Sequence, residues 1–446
     1  MQGLGLAPFA ALGLTAVVTM VLSARAPDAI IRGLAGLGLV AALILSVGST
    51  GTPPPDLLAG DALARFGSAL ACLSGLAALA ILRPETAPPE APALVLLATL
   101  GAAVLSGATH AATLFTGIEL VTLALIALAV LPRSGAALEA GYKLLVLGGL
   151  GAATLLMGLA LGFAQTGDLG LSAWAAQGPL ATLGAAFLLA GLAFKFALVP
   201  FHMWTPDVFA GAPAAASVVA GVASKVAVAI VLVRLNGVMP PDGIWAPGLA
   251  LLGTASVLLG NLQALRQPSL ARMLGFSSIA HSGYVALILA TPTATASAAA
   301  IFYLAATAPA LIAALAVAVL AEGAASLTGL RGLAWSRPLA GTALAVALLS
   351  LAGLPAAVGF WAKLQLFTAL ARADSPGLLA VAIVGSALGL YFYLGFTLAL
   401  FRRDSLAPVR PPRAAETAVL AAAAATVLGL GVLPSVLLSP VLASLP

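Results

Sequence analysis

Charge is what this sequence lacks most: only 7% of its 446 residues are charged, with four lysines and a single cysteine. A soluble domain carries roughly 25% charged residues, so an ordinary water-soluble fold is excluded. The 62% apolar content and a mean hydropathy of +1.15 agree with that. The lone Cys72, set in an apolar stretch, excludes an internal disulfide, a redox pair and a thiolate cluster. No basic run is longer than Arg402-Arg403, so a pI near 9.7 does not point to nucleic acid. The scattered basic residues suit anionic lipid headgroups instead. No glycine-rich phosphate loop, CxxC pair or nucleophile elbow occurs, so the chain offers no site for a nucleotide, flavin, haem or iron–sulfur cluster.

Present instead are long apolar runs. A bilayer-crossing helix needs about 20 mostly apolar residues, and helices rather than open strands are the elements that lipid tolerates. Cutting at charges, prolines and polar clusters gives fourteen candidate spans, at 4–24, 28–48, 60–82, 92–107, 109–131, 139–165, 179–209, 213–236, 245–266, 270–290, 297–321, 337–372, 377–402 and 414–440. The first has no basic residue ahead of it and reads as an uncleaved span rather than a signal peptide. Loops are short, leaving no soluble domain. With fourteen spans, odd-numbered loops hold twelve of the fifteen arginines, and even-numbered loops hold only Arg65, Arg234 and Arg372. Lys/Arg-rich loops stay in the cytoplasm, which places both termini on the outer side.

Two spans are too long. The run 179–209 contains Pro200 and Pro206, and 337–372 contains Gly353-Leu354-Pro355 and Gly359. Proline removes a donor and clashes with the preceding turn, so each run is expected to break into two half-helices. Each carries a lysine beside its break, Lys195 and Lys363. Interrupted helices in corresponding places of two halves point to a transporter built from internal repeats; two unrelated proline kinks are the bland alternative.

Lysine placement is the sharpest feature. All four lysines (Lys143, Lys195, Lys225 and Lys363) fall inside apolar spans, while arginine serves nearly every exposed cationic position. An arginine cannot give up its proton, whereas a buried lysine can exchange one. A mid-span lysine costs about 2.5–3.5 kcal/mol on insertion scales, so four oppose insertion by on the order of 10 kcal/mol. Intramembrane ionisable groups are therefore functional candidates. Glu119, mid-span in Thr-Gly-Ile-Glu-Leu, either takes part in proton transfer or only neutralises a neighbouring lysine. For Lys143 a plain ion pair with Glu139, one turn earlier, is the alternative. His281, in a polar patch of an apolar helix, suits a proton relay or a hydrogen-bonded structural role. His202 and Asp207 read as caps or interfacial anchors of a half-helix beside Trp204, and His110 is uninformative.

With these residues in view, the run from Phe194-Lys195 through Val-Pro-Phe-His-Met-Trp-Thr-Pro-Asp-Val to Gly-Ala-Pro213 resembles the signature of the antiporter-like membrane subunits of respiratory complex I. Val-Ala-Ser-Lys225, Ser-Ser-Ile-Ala-His281-Ser-Gly-Tyr and Gly-Phe-Trp-Ala-Lys363 are similar to the bacterial N-type branch of that family. The resemblance runs from about residue 90 onward. It implies an all-α polytopic membrane protein of about fourteen helices with two inverted five-helix repeats, each containing a broken helix. Residues 1–90 would form spans 1–3, 91–240 the first repeat (spans 4–8), 241–405 the second (spans 9–13) and 406–446 the last span. It further implies a proton path through Glu119, paired to Lys195, then Lys225, His281 and Lys363, with Lys143 as an additional candidate. FMN, iron–sulfur clusters, NADH and quinone would belong to partner subunits, and the partners would be other membrane subunits, through them the peripheral redox arm, and the lipid of a bacterial inner membrane. A subunit of the multi-subunit cation/proton antiporters is the alternative. Ala214-Ala215 stand where the family usually has Thr-Pro, and Phe209 and Phe276 replace common tyrosines.

Overall fold

The computed structural model describes residues 5–48, 53–54, 56–85, 87–291, 293, 295–321, 325–403 and 409–444. The expected boundary at 405/406 lies outside these. The described residues form helices, with no strand beyond three isolated bridges. The chain begins with α1 (Ala7–Leu22), α2 (Asp28–Gly48), α3 (Ala62–Ile81), α4 (Ala91–Gly107), α5 (Ala111–Val130) and α6 (Gly135–Thr166). It continues with α7 (Pro179–Phe196), α8 (Thr205–Gly211), α9 (Ala214–Val218), α10 (Ser224–Asn236), α11 (Trp245–Ala264), α12 (Leu270–Leu289) and α13 (Ala296–Leu320). The remainder is α14 (Leu333–Ser336), α15 (Pro338–Ala352), α16 (Val358–Arg372), α17 (Pro376–Leu400), α18 (Ala414–Val432) and α19 (Ser435–Ser444). Among the described residues ten helices, α9 and α10 taken as one, are long and apolar enough to cross a bilayer.

Helix starts follow local chemistry. Asp61, Ser134 and Ser269 each accept a hydrogen bond from the backbone N–H three residues on, satisfying a donor that the helix cannot. The α9–α10 span is enclosed on all sides, whereas Leu14, Leu150, Tyr391 and Val432 face outward from peripheral helices. Apolar residues turned outward fit a lipid surface, where helix association depends on close packing. Small residues provide it: a Cβ added to Gly283 of α12 would sit 2.8 Å from the Gly253 carbonyl oxygen of α11.

Both overlong spans are broken. The first stops at Ala197, whose φ of 60° is left-handed, then passes a cis Val199-Pro200 bond before α8. The second stops at Gly353, with φ of 86°, and resumes as α16. Three features differ from the sequence expectations. The run 414–440 is divided at Leu433-Pro434 into α18 and α19, because Pro434 cannot supply the donor that continues the first helix. The run 213–236 carries a π-helical turn over Val219–Ala223. Trp204, beside which His202 and Asp207 are expected as caps or interfacial anchors, is itself interior: it is 1% exposed, and its indole N–H donates to the Phe194 carbonyl at 3.2 Å, stitching the break closed.

The connections gather in two sets. In one, Leu58 bridges Ala108, His110 bridges Gly170, and Arg234 forks onto both carboxylate oxygens of Asp61 at 2.8 Å. In the other, Ser269 bridges Ser326, the Trp335 indole donates to Phe401 O, and Arg32 and Arg413 both donate to Leu82 O. Burial pushes the Asp61 carboxyl upward, but the Arg234 guanidinium, with the Ala64 N–H and Arg65, outweighs it and holds the group below its ordinary value.

Candidate functional site: a buried row of lysines and a histidine

The first part of the site joins α5 to α7. Glu119 and Thr122 are one turn apart on α5 and share a face. The Thr122 hydroxyl donates to Ile118 O at 2.7 Å, which leaves a lone pair for the Lys195 ammonium at 2.9 Å. Lys195, 1% exposed, sits in the last turn of α7 immediately before the break. There the C-terminal carbonyls of a helix favour a cation. Glu119 is half-buried and within electrostatic reach of Lys195. Among the described residues, Lys195 bonds Thr122, and the expected Glu119–Lys195 pairing is not a direct salt bridge. Ser256 of α11 receives the free Val199 N–H at 2.9 Å, so the opened backbone stays satisfied.

Lys225 follows on α10, two residues beyond the end of the π-helical turn. It is also 1% exposed, and its ammonium donates to Ser278 O and Ser282 Oγ of α12, both at 2.6 Å. Gly221 within the π turn has no room for a side chain, since a Cβ there would lie 2.8 Å from Leu311 and 3.0 Å from Phe209. π-Turns widen the helix locally and recur at functional sites.

His281, on α12 one residue before Ser282, is held at both ring nitrogens. Nδ1 lies 2.8 Å from the Tyr303 hydroxyl of α13, and Nε2 lies 3.1 Å from the Tyr393 hydroxyl of α17. Tyr393 also bonds Ser277. Next to this group is a cavity of about 20 Å³, lined by Lys225, Ser277, Ser278, His281 and Thr307 among others. That is space for about one water with several polar partners.

Lys363 ends the row on α16. Its ammonium donates to Ala352 O at 2.7 Å, the carbonyl end of half-helix α15. The lysine stem crosses directly over Gly353, where a Cβ would overlap the lysine Cδ. Gly353 therefore serves twice, accepting the left-handed turn and clearing the lysine's path. His281 feels the charges of both Lys363 and Lys225. The structure accordingly places five of the six candidates in two groups, Glu119 with Lys195, and Lys225 with His281 and Lys363.

Lys143 stands apart. It bonds Glu139 at 2.6 Å and Asp207 at 2.7 Å, is 37% exposed, and shares Asp207 with Arg272 at 2.7 Å. Asp207 thus joins α6, α8 and α12 and is more than a cap on its own half-helix. Sequence reasoning missed Thr122, Ser277, Tyr303 and Tyr393. The tyrosines had a usable signal: only five occur in the chain, and a phenol inside an apolar span needs a hydrogen-bond partner.

Comparison with known proteins accords with this geometry. Residues 108–389 match the family described as NADH:quinone oxidoreductase/Mrp antiporter, transmembrane. NADH-quinone oxidoreductase subunit N of Cereibacter sphaeroides is 54% identical over 446 residues, covering 99% of each chain. Subunit 14 of the Thermus thermophilus enzyme is 40% identical, covering 92% of this chain and 93% of its own. A chain of Thermus thermophilus respiratory complex I superposes with a TM-score of 0.87 at 37% identity, over 98% of this chain and all of that one. A chain of the Mrp complex from a Dietzia species gives a TM-score of 0.85 at 22% identity, over 100% and 97%, which is a likeness of fold.

Proposed function

The chain belongs to the NADH:quinone oxidoreductase/Mrp antiporter family of transmembrane proteins, and from that premise we propose that it moves protons along its row of buried lysines. It is a membrane subunit of a proton-translocating NADH:quinone oxidoreductase, the role its 54%-identical relative carries in name. Electron transfer from NADH to quinone takes place in partner subunits, which hold FMN and the iron–sulfur clusters. This chain's task is to carry protons across the bilayer. It does so as a multi-pass protein of a bacterial inner membrane, set among other membrane subunits and reaching the peripheral arm through them.

The observation that carries the reading is the chemistry around the buried amines. Lys195, Lys225 and Lys363 are at most 7% exposed, and all three rest on neutral oxygens of threonine, serine and backbone. A structural ion pair would place a carboxylate there, because a buried charge is normally held by a counter-ion. Neutral acceptors let an amine take and pass a proton without tearing apart a salt bridge. Glu119 stands at one end, within electrostatic reach of Lys195. The two broken spans belong to inverted repeats at 91–240 and 241–405, flanked by 1–90 and 406–446, and about fourteen spans leave both termini outside.

The test is Glu119→Gln in the assembled complex reconstituted into vesicles. Proton uptake driven by NADH oxidation is expected to fall at least about tenfold, the low side of what a positioned proton-transfer group contributes. Assembly on a native gel should be unchanged. Full pumping by that variant would remove Glu119 from the path.

A further inference from the structure

We propose that Tyr393 is a further proton-relay residue, passing protons from the Lys225 side of the buried cavity into the His281 ring; this rests on the proton-transfer reading of His281. The cavity touches the imidazole, yet both ring nitrogens are engaged by phenols, Nδ1 by Tyr303 and Nε2 by Tyr393. A proton crossing from Lys225 therefore enters the ring through a hydroxyl. Of the two phenols, Tyr393 has its oxygen bonded to Ser277, a cavity-lining hydroxyl. The connected order is Lys225, cavity, Ser277, Tyr393, His281. Tyr393 is 2% exposed, and it follows Gly385 and Gly389 at four-residue spacing along α17. At Gly385 the absent side chain leaves space for Tyr284 and Asn261, so α17 lies close against α11 and α12 and presents the phenol to the ring.

The step balances with no added reagent. An N–H bond of the Lys225 ammonium breaks and its proton passes through a cavity water to Ser277 Oγ. Ser277 gives its own proton to the Tyr393 oxygen, and the Tyr393 O–H proton bonds to Nε2. Lysine ends as the amine and histidine as the imidazolium, with serine and tyrosine neutral as before. A hydroxyl carries one proton and two lone pairs, so Ser277 and Tyr393 can each accept and donate in the same event. The imidazolium then donates from both nitrogens, with Tyr303 and Tyr393 as ready acceptors.

The experiment compares Tyr393→Phe, Ser277→Ala, His281→Ala and Phe392→Leu in the reconstituted complex, measuring NADH-driven proton uptake in H2O and in D2O. Tyr393→Phe keeps the ring and removes the hydroxyl; it is expected to pump about tenfold more slowly, with a larger D2O slowing than the unmodified protein. Ser277→Ala breaks the same relay with the aromatic packing intact and should behave alike. Phe392→Leu alters packing beside Tyr393 and should leave the isotope ratio unchanged. Unmodified pumping and isotope ratio in Tyr393→Phe or Ser277→Ala, with His281→Ala inactive, overturn the relay alone. Full pumping by His281→Ala overturns the reading of His281 beneath it.

Discussion

Lys195, Lys225 and Lys363 are buried while arginines lie toward the segment ends, and that separation has a chemical sense that a single substitution can probe. Lys363 reaches back over Gly353 to the last carbonyl of α15, where its charge meets the negative end of a half-helix. If charge alone mattered there, Lys363→Arg would work and Lys363→Ala would not. If the amine must also release its proton, both fail, since a guanidinium stays charged. We expect both variants to lose most NADH-driven pumping, with Lys363→Arg still assembling on a native gel. A fully active arginine variant would leave only an electrostatic anchor. The positions of all four lysines, Glu119 and His281 were legible in the sequence, because an ionisable residue inside an apolar run stands out by its cost. Their partners were not. Thr122, Ser277 and Ser282 are ordinary helix-tolerated residues, and a backbone carbonyl such as Ala352 O has no sequence signature. Lys143 shows the opposite limit: its i,i+4 neighbour Glu139 was readable, but Asp207, 64 residues away, was not.

The two broken helices differ in how their chain is turned, and that decides which substitutions they tolerate. Proline content announced both interruptions. It did not locate them, because the helices end at left-handed Ala197 and Gly353, each ahead of its prolines, with a second left-handed residue, Ala356, after Pro355. The divided last span and the π turn in α9–α10 were missed for a related reason. Pro434 lies near the end of an apolar run long enough to cross without a break, and the π turn around Gly221, packed against Leu311 and Phe209, has no local sequence signature. At Gly353 two demands coincide, a φ of 86° and passage of the Lys363 stem. Gly353→Ala adds about 1–2 kcal/mol of backbone strain and drives a methyl group into the lysine. The expected result is a several-fold loss of pumping with assembly retained, because the substitution displaces the ammonium from Ala352 O. Vesicle pumping beside a native gel checks this, and unaltered pumping would show that the site does not need that contact.

At the scale of the whole molecule, the segments between spans sort into the same two groups by two independent routes. Counting spans puts residues 49–60, 108, 166–178 and the end of α10 on one side. Leu58–Ala108, His110–Gly170 and Asp61–Arg234 join those very segments. The opposite parity collects the turns near residues 25–32, 82, 266–270, 325–337 and 401–413. Leu82 with Arg32 and Arg413, Ser269–Ser326 and Trp335–Phe401 join those. No bridge or side-chain bond named above crosses from one group to the other, which is what alternation requires if each broken helix counts as a single span. Geometry fixes the grouping but not which side is the cytoplasm; the arginines supply that, since the group holding Arg32, Arg83, Arg133, Arg402, Arg403 and Arg413 is the basic one. Reporter fusions placed after Arg133 and after Arg403 are therefore expected to report cytoplasm, and a fusion at the C-terminus the outer side. A reporter found on opposite sides at Arg133 and Arg403 would break the parity itself, whereas a C-terminus found inside would mean that α18 and α19 do not together make one crossing.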